Sequence, residues 1–296
     1  MTDYYIRIVP DGEAIIEQFW AVDETVAHLG MTPSQLGTQY ADPDKDMMTT
    51  LRGRFTTGEF HRLALGPGEY YPRMARPSTT MPEYSPGSYP DKSPDALKVR
   101  TLSTGQLHVL IQELQRICQV VHPDEDNFDT YGHEIRNIII LACMEVETQW
   151  KNILLANKQK AKDRHDYVKL ALPMRLGEYR VALPWYPWLP PVTPFKDWVP
   201  VPPDEKQFLP WYDAYNNIKH DREKNFAQAK LTYAFQALTG CFVMICAQYG
   251  WDFAKRKEVA ADAFFQLADA PKWEPGEIYV SPIGVIPKPR QYPFES

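Results

Sequence analysis

Between residues 70 and 96 a proline recurs every four or five positions, at Pro72, Pro77, Pro82, Pro86, Pro90 and Pro94. Each proline fixes φ and removes a backbone donor, so neither a helix nor a central strand can run through this stretch. The chain must change character across it. The tyrosines between the prolines, at Tyr70, Tyr71, Tyr84 and Tyr89, predict a course laid on a surface rather than a free one. Before the prolines lie short alternating runs, and after them long helical periodicities. The expected fold is mainly α, with four parts. These are a small mixed α/β N-terminal module over 1–70, a Pro-rich linker over 71–100, a helical bundle over 101–252, and a C-terminal helix with an extended tail over 253–296.

In the N-terminal module, Tyr4, Ile6 and Ile8 alternate with Tyr5, Arg7 and Val9, a strand stopped by Pro10-Asp11-Gly12. Residues 13–22 fit either a strand or a short helix. Residues 23–29 read as a helix with Asp23 as its N-cap. A second short helix starts over 32–35, with Pro33 at its first position. Together these outline a small helix-turn-helix. Residues 57–65 read as a strand closed by Gly66-Pro67-Gly68.

In the bundle, Ser103 is read as the cap of a helix with an apolar face of Leu107, Leu110, Leu114, Ile117 and Val121. A second helix opens at Asp129 or Thr130. Its middle is apolar on nearly every side, which predicts the central, buried helix. Glu145 falls in that apolar part and calls for a cation from a later helix. Glu147 and Lys151 read as an ordinary i, i+4 pair. The segment around Trp185, Trp188 and Trp198, rich in aromatics and prolines, reads as a long loop packed over the bundle. A third helix starts at Asp204 or Pro210 and leads into an apolar face that includes Phe226, Ala229, Tyr233, Ala237 and Cys241. Residues 256–267 read as a last helix and 277–280 as strand-like.

A net charge of −6 leaves no global basic field for nucleic acid, so such binding would need a local patch. The N-terminus has no basic stretch followed by an apolar core, and the longest apolar run, near Ile138 and Met144, is far short of a membrane span. Cys118, Cys143, Cys241 and Cys246 all sit in apolar helical patterns. These features lead to the expectation of a cytoplasmic protein with reduced, structural thiols and no membrane partner. The seven histidines do not fall at metal-ligand spacing, and the phosphate-loop, dinucleotide and serine-elbow patterns are absent. No metal and no cofactor is expected.

Chemistry concentrates at Tyr215-Asn216-Asn217-Ile218-Lys219-His220-Asp221-Arg222. On a helix Asn216 and His220 share a face. Lys219 and Arg222 flank the imidazole, where they would keep it neutral and could hold a phosphate. A histidine to move the proton of a ribose hydroxyl, with a cation to carry developing charge, is the minimum for cleaving RNA without metal. The competing reading makes Asn216, His220 and Arg222 a hydrogen-bond network that fixes a helix join. The second helix opens with a similar group, in which Glu134 or Arg136 could face His220 if the helices are neighbours. The alternative there is capping and surface pairing. Lys160, Lys162 and Arg164 form a basic stretch that suits either phosphate contacts or a solvated helix end.

The helix carrying Glu145, Glu147 and Trp150, followed later by "YNNIKHDR", resembles HEPN domains, the helical bundles of prokaryotic toxins, phage-defence proteins and CRISPR-associated ribonucleases. The resemblance covers roughly 101–251. It implies a HEPN-like bundle, a homodimer, and a metal-independent endoribonuclease in phage defence or a toxin–antitoxin system, acting on RNA. It also implies a partner protein from the same operon. His220, Arg222, Asn216, Arg136 and Glu134 would be catalytic; Lys219, Tyr215, Lys160, Lys162 and Arg164 would bind substrate. The family motif runs arginine, polar residue, spacer, histidine. Here Asn216 and His220 match, but Tyr215 stands where the arginine belongs, leaving Arg222 or Arg136 to replace it. Two other readings stay open. One is a catalytically inactive module that binds protein or RNA or dimerises. The other is a nucleotide or small-molecule sensor built on the aromatic loop.

Overall fold

The computed structural model describes residues 2–12, 14–31, 37–80, 90–202, 205, 207–250 and 264–294. The chain forms two compact units. One comprises Met1–Tyr71, Arg76–Asp91 and Lys272–Arg290; the other comprises Pro72–Ala75, Lys92–Pro271 and Gln291–Ser296. The units therefore interleave in sequence.

The first unit is built on β1 (Asp3–Asp11), β2 (Ala14–Val22), β3 (Val26–Leu29), β4 (Gln39–Ala41) and β5 (Glu59–Arg62). They form one antiparallel sheet in the order β4-β3-β2-β1-β5. Alternation assigns its two faces. Ile6, flanked by Tyr4, Ile8 and Phe19, packs with Met31, Leu63, Ile278 and Val280. On the other face Trp20, Val22 and Ala27 pack against Met47 and Leu51 of α1 (Met47–Arg54), inside a ring of Tyr40, Phe55 and Phe60. Gly58, at φ +78°, requires glycine, because a Cβ there would collide with the carbonyl oxygen of Ile8. β6 (Glu69–Tyr70) pairs in parallel with β9 (Lys288–Pro289).

The second unit holds α2 (Pro94–Val120), α3 (His133–Ala156), α4 (Arg164–Tyr167), β7 (Arg180–Ala182), α5 (Pro210–His220), α6 (Arg222–Asn225), α7 (Leu231–Tyr249) and β8 (Gln266–Asp269), which pairs with β7. α7 is the axis of this unit, packed by α2, α3 and α5. From Ala237 onward all of it is buried. Its length and hydropathy would suit a membrane span, but that apolar stretch is 83% buried within the protein. α3 and α7 are joined by a buried amide pair, in which Gln248 Nε2 donates to Gln149 Oε1 at 2.9 Å. Asn157 ends α3: its Nδ2 donates to the carbonyls of Ile153 and Pro72, both at 2.9 Å, and its Oδ1 accepts from Tyr292 N at 3.1 Å.

Several expectations are corrected. The fold is mixed α/β, not a mainly α HEPN-like bundle, because a five-stranded sheet organises the N-terminal region. Residues 26–29 are a strand rather than part of a helix-turn-helix: Val22 pairs with Ala27, and Ala27 with Tyr40, so sheet pairing outweighs the weak helical pattern. α2 starts well before Ser103, capped by Ser93 Oγ with Pro94 at its first position. The last proline of the presumed linker thus begins a helix, and Ser103 is buried within it. α7, not α3, is the central buried helix. Residues 278–280 are extended but paired in no strand, following a 3-10 turn at Pro275–Glu277. Leu267, expected in a helix, lies in β8, and the rest of that expected helix before Phe264 falls outside the described residues. The expected helix over 32–35 and the helix start at Asp204 also fall outside them; α5 opens at Pro210.

Candidate functional site

The cluster singled out in the sequence occupies α5 and the turn into α6. α5 is amphipathic: Trp211, Tyr212, Ala214, Tyr215 and Ile218 are buried, while Asn217, Lys219 and His220 are exposed. Its buried face meets α3 at Trp150, which is fully enclosed. Trp150 stacks on Trp198 with ring centroids 4.7 Å apart and lies 5.3 Å from Tyr212 and 5.5 Å from Tyr167. Phe195 and Trp198 of the aromatic loop supply this cover, and Trp211 Nε1 donates to Pro194 O at 2.7 Å.

Next to this aromatic core sits a polar group that the sequence reading did not assemble. Both tyrosine hydroxyls of α5 donate to one carboxylate, Tyr212 to Glu147 Oε1 and Tyr215 to Glu147 Oε2 at 3.1 Å. Lys219 Nζ donates to the Tyr215 hydroxyl at 2.9 Å and lies 4.9 Å from its ring centroid. Burial, reinforced by the Glu147 carboxylate, pushes both phenols well above their ordinary pKa, so both are neutral donors. Glu147 therefore does not form the i, i+4 pair with Lys151. Glu145 also finds a different partner from the one expected: its Oε1 accepts from Gln149 Nε2 at 2.8 Å, which extends the Gln149–Gln248 pair.

At the C-terminal end of α5 the amides are committed to structure. Asn216 Nδ2 donates to Tyr212 O of its own helix at 3.0 Å. Asn217 Nδ2 donates to Gln228 Oε1 at 2.8 Å, Gln228 Nε2 to Asn225 Oδ1 at 2.8 Å, and Asn225 Nδ2 to Asp221 O at 2.9 Å. This ring folds α6 back over the end of α5, and Asp221 caps α6. His220 and Arg222 stand exposed outside it, and among the described residues neither has a hydrogen-bond or ion-pair partner.

The other candidates separate. The start of α3 does approach the α6 region, but through Phe226, whose ring lies 4.8 Å from His133 and 5.8 Å from Tyr131. Lys230 Nζ also bonds Asp129 at 2.8 Å. Glu134 is exposed, and Arg136 Nη1 donates to its neighbour Asn137 at 3.3 Å. No described contact joins either to His220. Arg164 is structural: it pairs with Asp213 and with both the side chain and carbonyl of Gln207, tying α4 to the first turn of α5. Asp213 is seven residues from His220, so about 10 Å of helix separates the two ends. Lys160 and Lys162 are exposed beside that far end.

No protein family, no curated protein and no solved structure matches this chain.

Proposed function

We propose that this protein works by binding another macromolecule through its helical unit, as a catalytically inactive module, rather than by cleaving RNA. Tyr215 carries this reading. It stands at the motif position of the arginine, is fully buried, and spends its hydroxyl on Glu147. Charge on a reacting phosphate needs a cation that reaches it, and a buried neutral phenol supplies none. Asn216 bonds its own helix, so it does not orient His220. A general base needs an imidazole held in place, and among the described residues the His220 side chain has no partner to hold it. The helical unit also leaves apolar side chains in water: Leu141 and Met144 on α3, and Trp185 and Trp188 on the aromatic loop, are each about half exposed. Apolar surface of this kind is what a binding partner covers.

One observation favours cleavage: His220 and Arg222 are both exposed and two residues apart, so Arg222 could replace the missing arginine. The test is incubation of purified protein with single-stranded and hairpin RNA in the presence of EDTA, comparing wild type with His220→Ala. The expected result is no cleavage by either protein. Cleavage by the wild type that His220→Ala abolishes would overturn the binding reading.

A further inference from the structure

The outer side of α3 repeats with a coiled-coil period. Glu134, Asn137, Leu141, Met144, Thr148, Lys151 and Leu155 are all exposed, and their spacing alternates three and four residues. That 3.5-residue average keeps one stripe in line along a helix and suits a seam with a second helix. Leu141 is 49% and Met144 52% exposed, at the middle of the stripe. Val120 of α2, 84% exposed, lines with Leu141 a groove of about 650 Å³ that widens the apolar surface on one side.

The order of residues along the stripe identifies what covers it. From Glu134 to Lys151 it runs acid, amide, apolar, apolar, hydroxyl, base. A two-fold axis passing between Ala142 and Cys143 would set Leu141 against Met144 of a second copy, Asn137 against Thr148, and Glu134 against Lys151, each pair occurring twice. A parallel, in-register pairing would instead oppose Glu134 to Glu134 and Lys151 to Lys151. Like charges in register are disfavoured, and opposite charges at the ends of an apolar seam fix orientation. Among the described residues neither Glu134 nor Lys151 has a partner within the chain, so both are available. The charge pattern is thus complementary to itself in one arrangement only.

We propose that this stripe of α3 is the contact between two copies of the chain, packed antiparallel about a two-fold axis. This names the partner in the binding reading above and rests on it. The contact lies on α3 and does not involve the Tyr215–His220 segment.

The experiment is sedimentation velocity on the full chain at concentrations up to about 100 µM, with circular dichroism to confirm folding. The wild type is expected to dimerise, and Leu141→Ser/Met144→Ser to remain a folded monomer. Glu134→Lys and Lys151→Glu should each weaken self-association by roughly tenfold or more, since each creates two like-charge contacts. An equimolar mixture of those two single variants should form a heterodimer of about wild-type affinity, and the Glu134→Lys/Lys151→Glu double variant a homodimer. A wild type that stays monomeric would overturn the proposal. So would a dimer that survives Leu141→Ser/Met144→Ser and ignores the charge changes. The RNA assay keeps the two conclusions apart. A monomer that cleaves no RNA removes only the second copy as partner, whereas His220-dependent cleavage removes the binding reading whatever the oligomeric state.

Discussion

α3 and α7 are both long, apolar helices, and both look like core in the sequence, yet the fold treats them differently. α7 is enclosed on all sides over its C-terminal two thirds. α3 buries Ile139, Ala142, Val146, Trp150 and Ile153 and leaves Leu141 and Met144 in water. The difference lies in neighbours rather than in composition. α7 is packed by α2, α3 and α5 together, whereas α3 has an outer side that no described element covers. Apolar content alone does not distinguish a helix that is finished by its own chain from one that presents a surface.

The sharpest way to break this contrast is to cut the inner side of α3. Trp150→Ala removes the hub of the aromatic core and is expected to cost about 3–5 kcal/mol, read from the urea midpoint at constant slope. A loss below about 1 kcal/mol would mean that the Trp150 contacts do not support the fold. Glu147→Ala should come next, at roughly 1–3 kcal/mol, because it leaves two buried tyrosine hydroxyls without an acceptor. Removing both partners is milder than removing one, so adding Tyr212→Phe and Tyr215→Phe to Glu147→Ala should recover part of the loss. A triple variant no more stable than Glu147→Ala would argue against that hydrogen-bonded group.

The same tyrosines make a pH prediction. Their pKa values are raised in the folded chain, by burial first and by Glu147 second. An unfolded tyrosine titrates near 10 and releases its proton before the folded one. The stabilisation is therefore complete below about pH 10 and falls as pH rises beyond it. Stability measured from about pH 8 to 11 should decline above 10, and the decline should shrink in Tyr212→Phe/Tyr215→Phe. A profile unchanged by that double substitution would assign the decline to other groups.

The smallest effect on folding is expected on the outer side of α3. Met144→Ser exchanges a half-exposed side chain and should shift monomer stability by no more than about 0.5 kcal/mol, although self-association is expected to respond strongly. A folding loss comparable to that of Trp150→Ala would show that Met144 belongs to the core.

The strand through residues 4–9, the one within 57–65 and the apolar faces of α2, α3 and α7 were legible because their periodicities are local; the expected stop at Pro10 was not met, since β1 stays paired with β2 through Asp11. The strand over 26–29 was not, since its partners Val22 and Tyr40 are supplied by pairing rather than by its own four residues. In the site, the clustering of Asn216, His220 and Arg222 could be read from the sequence, but not that His220 and Arg222 stand exposed outside the amide network. The Glu147–Tyr212–Tyr215 group could not, because the carboxylate lies more than sixty residues from the tyrosines. The i, i+3 spacing of Tyr212 and Tyr215 was the available signal: it puts two hydroxyls on one buried face, and a buried pair of donors requires an acceptor.

By itself, the sequence determined a strand through Tyr4, Ile6 and Ile8 and an apolar helical pattern through Ala237 and Cys241, and it set Tyr215 where the motif it resembles carries arginine. Only the tertiary structure decided that Tyr215 is locked on Glu147, that no described contact joins His220 to Arg136 or Arg164, and that α3 leaves Leu141 and Met144 outside. The reason is physical. Periodicity states which residues share a face, but what covers that face depends on elements far away in the chain.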